Sequence, residues 1–137
     1  MDARYKLVRK FKVSAANADG GQTLADVLDP SNTRSRVLAD RGYDSGANRN
    51  VLEEHHLKGG IARRTQAGKE PEARLKARNR AISRTRARVE HVFAGLHQLG
   101  GKTVRALTLA RNTSAITLKC VLYNLKRLVW LAAHDLA

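Results

Sequence analysis

Two carboxylates stand out in a chain that otherwise repels cations: Asp40 in "VLADRGYDS" and Glu90 in "SRTRARVEHVF". Between Ile61 and Glu90 there are ten basic residues, and only Glu70, Glu72 and Glu90 are acidic. A carboxylate among arginines weakens phosphate binding directly. Its presence is easier to understand if it holds a cation that itself contacts phosphate oxygens. Asp40 ends a short apolar run, the place where α/β folds gather ligands and catalytic groups. Asp40 and Glu90 are therefore candidate hard oxygen ligands that could converge on a divalent ion. Arg86 and Glu90 are i,i+4 neighbours and share a helix face, with Ser83 and His97 seven residues to either side of Glu90. The plainer reading of Arg86 and Glu90 is a surface ion pair worth about 0.3–0.5 kcal/mol.

The hydrophobic pattern predicts the elements that hold these groups. "RYKLVRKFKV", residues 4–13, puts Tyr5, Leu7, Phe11 and Val13 on one face, the period of a half-buried strand, broken by Arg9. "NADGGQTLADVLDPSN" predicts a turn and a short helix with Leu24, Val27 and Leu28 on one side, closed by Pro30. "SRVLAD" predicts a central strand ending at Asp40. Ser45 is a candidate N-cap for a helix through "GANRNVLEEHH" with Val51 and Leu52 facing in, ended by Gly59 and Gly60, and "IARR" suggests a further strand. Residues 65–80 carry almost no large apolar side chain, which predicts a solvated loop or arm outside the core. Two helices follow, separated by Gly100 and Gly101. The first has Ile82, Val89, Phe93 and Leu96 at helical spacing; the second, "NTSAITLKCVLYNLKRLVWLAAH", has Val121, Leu122, Leu125, Leu128 and Val129 as its inward stripe, with Cys120 and Trp130 expected in the core. Strands separated by short helices indicate an α/β arrangement.

The size, 137 residues, suits a single domain. The 26 Lys and Arg residues against 12 Asp and Glu give a formal charge of +14, mostly from arginine, whose planar fork pairs with phosphate. A polyanion is the expected partner. Nucleic acid is the commonest, with an anionic membrane surface or an acidic protein as competitors. Arg74, Arg78 and Arg80 could track a DNA backbone, or simply solvate a loop. The single Cys120 excludes an internal disulfide and any zinc-ribbon spacing, which suits a reducing, intracellular setting. No signal peptide is evident, and the most apolar window is interrupted by Lys119, Lys126 and Arg127. His55 and His56 are adjacent and so lie on different helix faces. Tyr43 could position the Asp40 turn, contact DNA or pack beneath it, and His91 could support Glu90 or face solvent.

"LADRGYDSGANR" and "SRTRARVEHVF", in this order and with 49 residues between Asp40 and Glu90, resemble insertion-sequence transposases of the DDE type, as do "RYKLVRKFKVSAAN" and the tail "LARNTSAITLKCVLYNLKRLVWL". The resemblance covers nearly the whole chain. It implies a ribonuclease-H-like core, DNA transposition, a bacterial cytoplasmic setting at the nucleoid, and two Mg²⁺ or Mn²⁺ ions in the complete site. Asp40 would be the family's second catalytic aspartate, Glu90 its glutamate, and Arg86 an arginine that contacts DNA or supports the site, with Arg41 beside substrate phosphate. Ser83 and His97 stand where the family carries tyrosine and lysine, and Gly20 where many relatives have aspartate. The first aspartate of the family lies upstream of the segment matching "RYKLVRKF", and Asp2 does not match it. The expectation is the C-terminal portion of a catalytic domain, lacking its first strand and supplying two of three carboxylates, either within a longer parent protein or by assembly with a complementing transposase chain; a homodimer is implied by the pairing of two element ends. The alternative is an inactive DNA-binding remnant or regulator.

Overall fold

The computed structural model describes residues 1–15, 23–29, 31–32, 35–64, 68, 70, 72–100, 104, 106–134 and 136. Along them run α1 (Leu24–Val27), β1 (Arg36–Ala39), a 3₁₀ turn (Arg41–Tyr43), α2 (Gly46–Glu54), β2 (Lys58–Ile61), α3 (Ala73–Gln98) and α4 (Leu109–Ala133). Helix and strand are mixed, with two long helices at the C-terminal end. The chain divides into one unit of residues 18–87 and a second of residues 1–17 and 88–137, the boundary falling inside α3. Pro30, Gly20 and Gly101 lie outside the described residues.

In the first unit, β1 and β2 pair in parallel, with Arg36 opposite Lys58 and Ala39 opposite Ile61. The crossover between them is α2, as parallel pairing requires. Ser45 caps α2 as expected, its hydroxyl accepting the Asn48 N–H at 3.2 Å. Leu24, Leu28, Ala39, Leu52, Leu57 and Ile61 form the core, with Val37, Tyr43 and Val51 packed against it.

Two expectations are corrected here. Gly59 and Gly60 do not end α2; the helix stops at Glu54, His56 turns the chain at φ 52°, and both glycines lie inside β2. Gly60 belongs there because the strand passes close beneath β1: a Cβ would lie 2.5 Å from Leu38 Cδ2 and 2.9 Å from the Val37 carbonyl oxygen. Of "IARR", only Ile61 is in the strand. Secondly, the stretch expected as a loop to residue 80 is helical from Ala73. Alanine, leucine, arginine and lysine are strong helix formers, and this turn of α3 is fixed by a polar anchor in place of an apolar stripe. Asn79, only 7% exposed, accepts the Arg63 N–H at 3.1 Å and donates to the Arg63 carbonyl at 3.0 Å. Arg78 donates to the Ile61 carbonyl at 2.9 Å.

In the second unit, the alternating stretch from Arg4 to Val13 is not a strand. Its backbone is met by helix side chains where a strand would have a ladder. Asn124 accepts the Val8 N–H at 2.9 Å and donates to the Val8 carbonyl at 2.8 Å. Tyr123 donates to the Lys6 carbonyl at 3.1 Å, Arg127 to that of Tyr5 at 2.9 Å, and Arg88 to that of Ala3 at 2.9 Å. Asp2 closes a local turn by accepting the Arg4 and Tyr5 N–H groups.

These contacts explain a further correction. Cys120 and Leu131 on α4 are buried, and burial pushes the Cys120 thiol up. The predicted inward stripe is instead exposed: Val121, Leu122, Leu125, Leu128 and Val129, the last at 70%. Phe93 on α3 is also exposed, and so is Trp130, which stacks on His134 at 4.1 Å and lies under the Arg127 guanidinium at 4.3 Å. The helix has two faces able to cover something, and the one that turns toward the N-terminal segment carries Tyr123, Asn124 and Arg127.

Burial raises the Tyr123 phenol above its ordinary value of 10.0, with Arg127 pulling weakly the other way. Only the neutral phenol can donate to Lys6. Its stabilisation is therefore complete below the unfolded value and is lost as pH rises through the higher folded one. Tyr123→Phe is expected to cost about 0.5–1.5 kcal/mol at neutral pH, with the difference from wild type shrinking once pH passes 10.0. Urea unfolding of both proteins across that range measures it, and a pH-independent difference would contradict the assignment.

Candidate functional site

The strand β1 delivers its last residue, Ala39, into the core, and the next residue leaves the sheet. That residue is Asp40, in extended conformation, and it caps the 3₁₀ turn that follows. Its Oδ1 accepts the Gly42 N–H at 2.9 Å, which fixes the carboxylate against its own loop. Its Oδ2 faces the Arg86 guanidinium, with Nη2 at 3.3 Å. The pair is part-solvated, the Arg86 side chain 34% and the Asp40 side chain 48% exposed. Asp40, Arg41, Gly42, Ala62, Ser83 and Arg86 line an open depression.

The loop that carries Asp40 is held by Asp44, which none of the sequence motifs singles out. The Asp44 side chain, 13% exposed, pairs with Arg49 and accepts the Arg64 N–H at 2.9 Å. Arg64 Nε returns to the Arg41 carbonyl at 3.1 Å. The segment after β1 is thereby tied to the segment after β2. A signal was available: Asp44 directly precedes the N-cap Ser45, so it belongs to a turn that two successive elements must share.

The other expected site residues are placed as follows. Arg41 is exposed, as are Arg74 and Arg80 on α3, so their charges are available to a polyanion. Arg78 is half-buried and holds the end of β2. Ser83 is exposed where α3 borders the depression. Glu90 is exposed on the later part of α3, within the second unit, together with His91 and His97. Tyr43 packs against the core.

A divalent ion needs several oxygen ligands, so its fit can be judged from the donors that surround Asp40. Among the described residues no three His, Cys, Asp or Glu side chains are grouped to hold a metal ion. The depression sets one carboxylate against two arginines, and one oxygen of that carboxylate already faces a cation. These residues offer an ion one carboxylate, so they fit it only as one part of a larger ligand set. Among the described residues, no helix is long and apolar enough to cross a membrane.

Residues 1–125 match a family described as "Transposase DDE domain". Over 89 residues, 65% of its length, the chain is 37% identical to a "Transposase for insertion sequence element IS1106" from Neisseria meningitidis serogroup B. The match spans 31% of that relative. No solved structure matches the chain.

Proposed function

Because this chain belongs to the transposase DDE domain family, we propose that it acts in DNA transposition as part of one catalytic domain with a ribonuclease-H-like core. Asp40 and Glu90 are its contributions to the carboxylate set, and Arg41, Arg74, Arg80 and Arg86 contact the DNA backbone. The observation that supports this reading is Asp40 itself: a carboxylate fixed at a strand end, beside Arg41, Arg86 and Ser83, in an open depression. Transposases of this family generally use divalent metal ions. This chain's share of the chemistry is to seat a phosphodiester by its arginines and to hold one carboxylate rigidly next to it. The remaining ligands would come from Glu90 and from a further carboxylate.

The test has two readouts. Binding of duplex DNA is expected to weaken steeply with salt, and neutralising Arg74 or Arg80 to lower the salt slope by about one each. Metal-dependent nicking in Mn²⁺ is expected from the chain assembled with a full-length relative whose own second aspartate has been removed. In that assembly, Asp40→Asn is expected to lower nicking at least about 100-fold, beyond the effect typical of a residue that only orients a metal ligand. Nicking that survives Asp40→Asn would remove Asp40 from the catalytic set. A second reading is favoured by the guanidinium on Asp40: a DNA-binding regulator without cleavage activity. It predicts the same salt-sensitive binding and no nicking in any assembly.

A further inference from the structure

The depression around Asp40 carries more positive than negative charge. Arg41 and Arg86 line it, and among the described residues Asp40 is its one carboxylate. Arg86 Nη2 stands 3.3 Å from Asp40 Oδ2, while Oδ1 is held by the Gly42 N–H at 2.9 Å. A cation approaching Asp40 must therefore displace the guanidinium or share Oδ2 with it, against the repulsion of both arginines. An arriving phosphate meets the opposite situation, since it can draw Arg86 away from Asp40 through charge-assisted hydrogen bonds of its own.

We propose that Arg86 is the resident counter-ion of Asp40: it neutralises the carboxylate while the site is free of DNA and competes with a divalent cation for Oδ2. This rests on the reading of Asp40 as a metal ligand and adds a role for Arg86 that precedes any contact with DNA. Arg86 is a positioning residue here, acting through Asp40. An exposed pair of this kind is worth about 0.2–1 kcal/mol, which sets the expected effect at roughly a 1.4- to fivefold change in cation affinity.

The experiment is a titration of the whole chain with Mn²⁺ alone, followed by the paramagnetic resonance signal of the free ion, in wild type, Arg86→Met, Arg86→Lys and the double variant Asp40→Asn with Arg86→Met. Melting curves identify any variant that fails to fold. Arg86→Met is expected to bind Mn²⁺ roughly 1.4- to fivefold more tightly than wild type. Arg86→Lys, which keeps the charge but not the planar fork, is expected to fall between them, and it serves if the methionine variant does not fold. The gain is expected to vanish in the double variant. Equal or weaker binding in both single variants overturns the proposal, and so does a gain that persists without Asp40. If the gain is absent while Asp40→Asn still abolishes nicking, the counter-ion role fails and the transposase reading stands. If the gain is present and nicking never appears, the reverse holds.

Discussion

Gly60→Ala is expected to destabilise the protein by about 1–3 kcal/mol, the range for forcing an extra group into a closed space. The added Cβ meets Leu38 Cδ2 at 2.5 Å and the Val37 carbonyl oxygen at 2.9 Å. Leu38 can rotate a methyl group out of the way. The Val37 carbonyl cannot move without disturbing the parallel pairing of β1 and β2, in which Leu38 stands opposite Gly60. The neighbouring glycine is an internal control, since a Cβ on Gly59 would find only Leu52 Cδ1 at 3.5 Å, an ordinary contact. Denaturant midpoints of the two variants test this. If Gly59→Ala and Gly60→Ala shift the midpoint equally, the close approach of β2 to β1 is not what requires glycine. Because Asp40 directly follows β1, the Gly60 variant is also expected to loosen the carboxylate it positions.

The second large effect is expected at Asn79. Its amide supplies both a hydrogen-bond acceptor and a donor to the backbone of Arg63. Asn79→Ala removes both hydrogen bonds to the Arg63 backbone, at a cost of about 1–3 kcal/mol. Asn79→Asp keeps the acceptor but sets a second carboxylate oxygen against the Arg63 carbonyl in a buried position, so it is expected to cost at least as much as alanine. Urea unfolding ranks the three proteins, and amide hydrogen exchange at Arg63 locates the change. An alanine variant as stable as wild type, with Arg63 exchange unaltered, would show that the clamp does not hold the segment after β2.

How far the sequence could be read depended on whether a local signal had one partner or several. β1 and α2 were legible because "SRVLAD" has nowhere to go but a core and Ser45 is a strong helix start. Asp40 was legible as a strand-end acid for the same reason. Residues 4–13 alternate like a strand, and alternation does not say whether the backbone will be met by another strand or by Asn124, Tyr123 and Arg127. The stripe of Val121, Leu125 and Val129 obeys helical periodicity, and periodicity does not say which of two faces a helix turns inward. The helix start at Ala73 was hidden because residues 73–80 lack the apolar side chains by which amphipathic helices are found, although their backbone propensity favours helix. The structural roles of Asp44 and Arg78 depend on segments brought together only by folding. The Arg86 to Asp40 pair spans 46 residues and has no local trace at all.

The two asparagine clamps differ in one respect that bears on the order in which the chain folds. Asn79 reaches a residue 16 positions away, whereas Asn124 reaches one 116 positions away. For flexible chains the longer closure costs about 1.8 kcal/mol more in entropy. A side-chain clamp also requires its helix to exist beforehand, since the amide has no fixed direction until the backbone beneath it is wound. The segment after β2 can thus be captured early by a nearby turn of α3. Ordering of residues 18–87 would effectively shorten the loop that Asn124 must close, which favours late docking of the N-terminal segment.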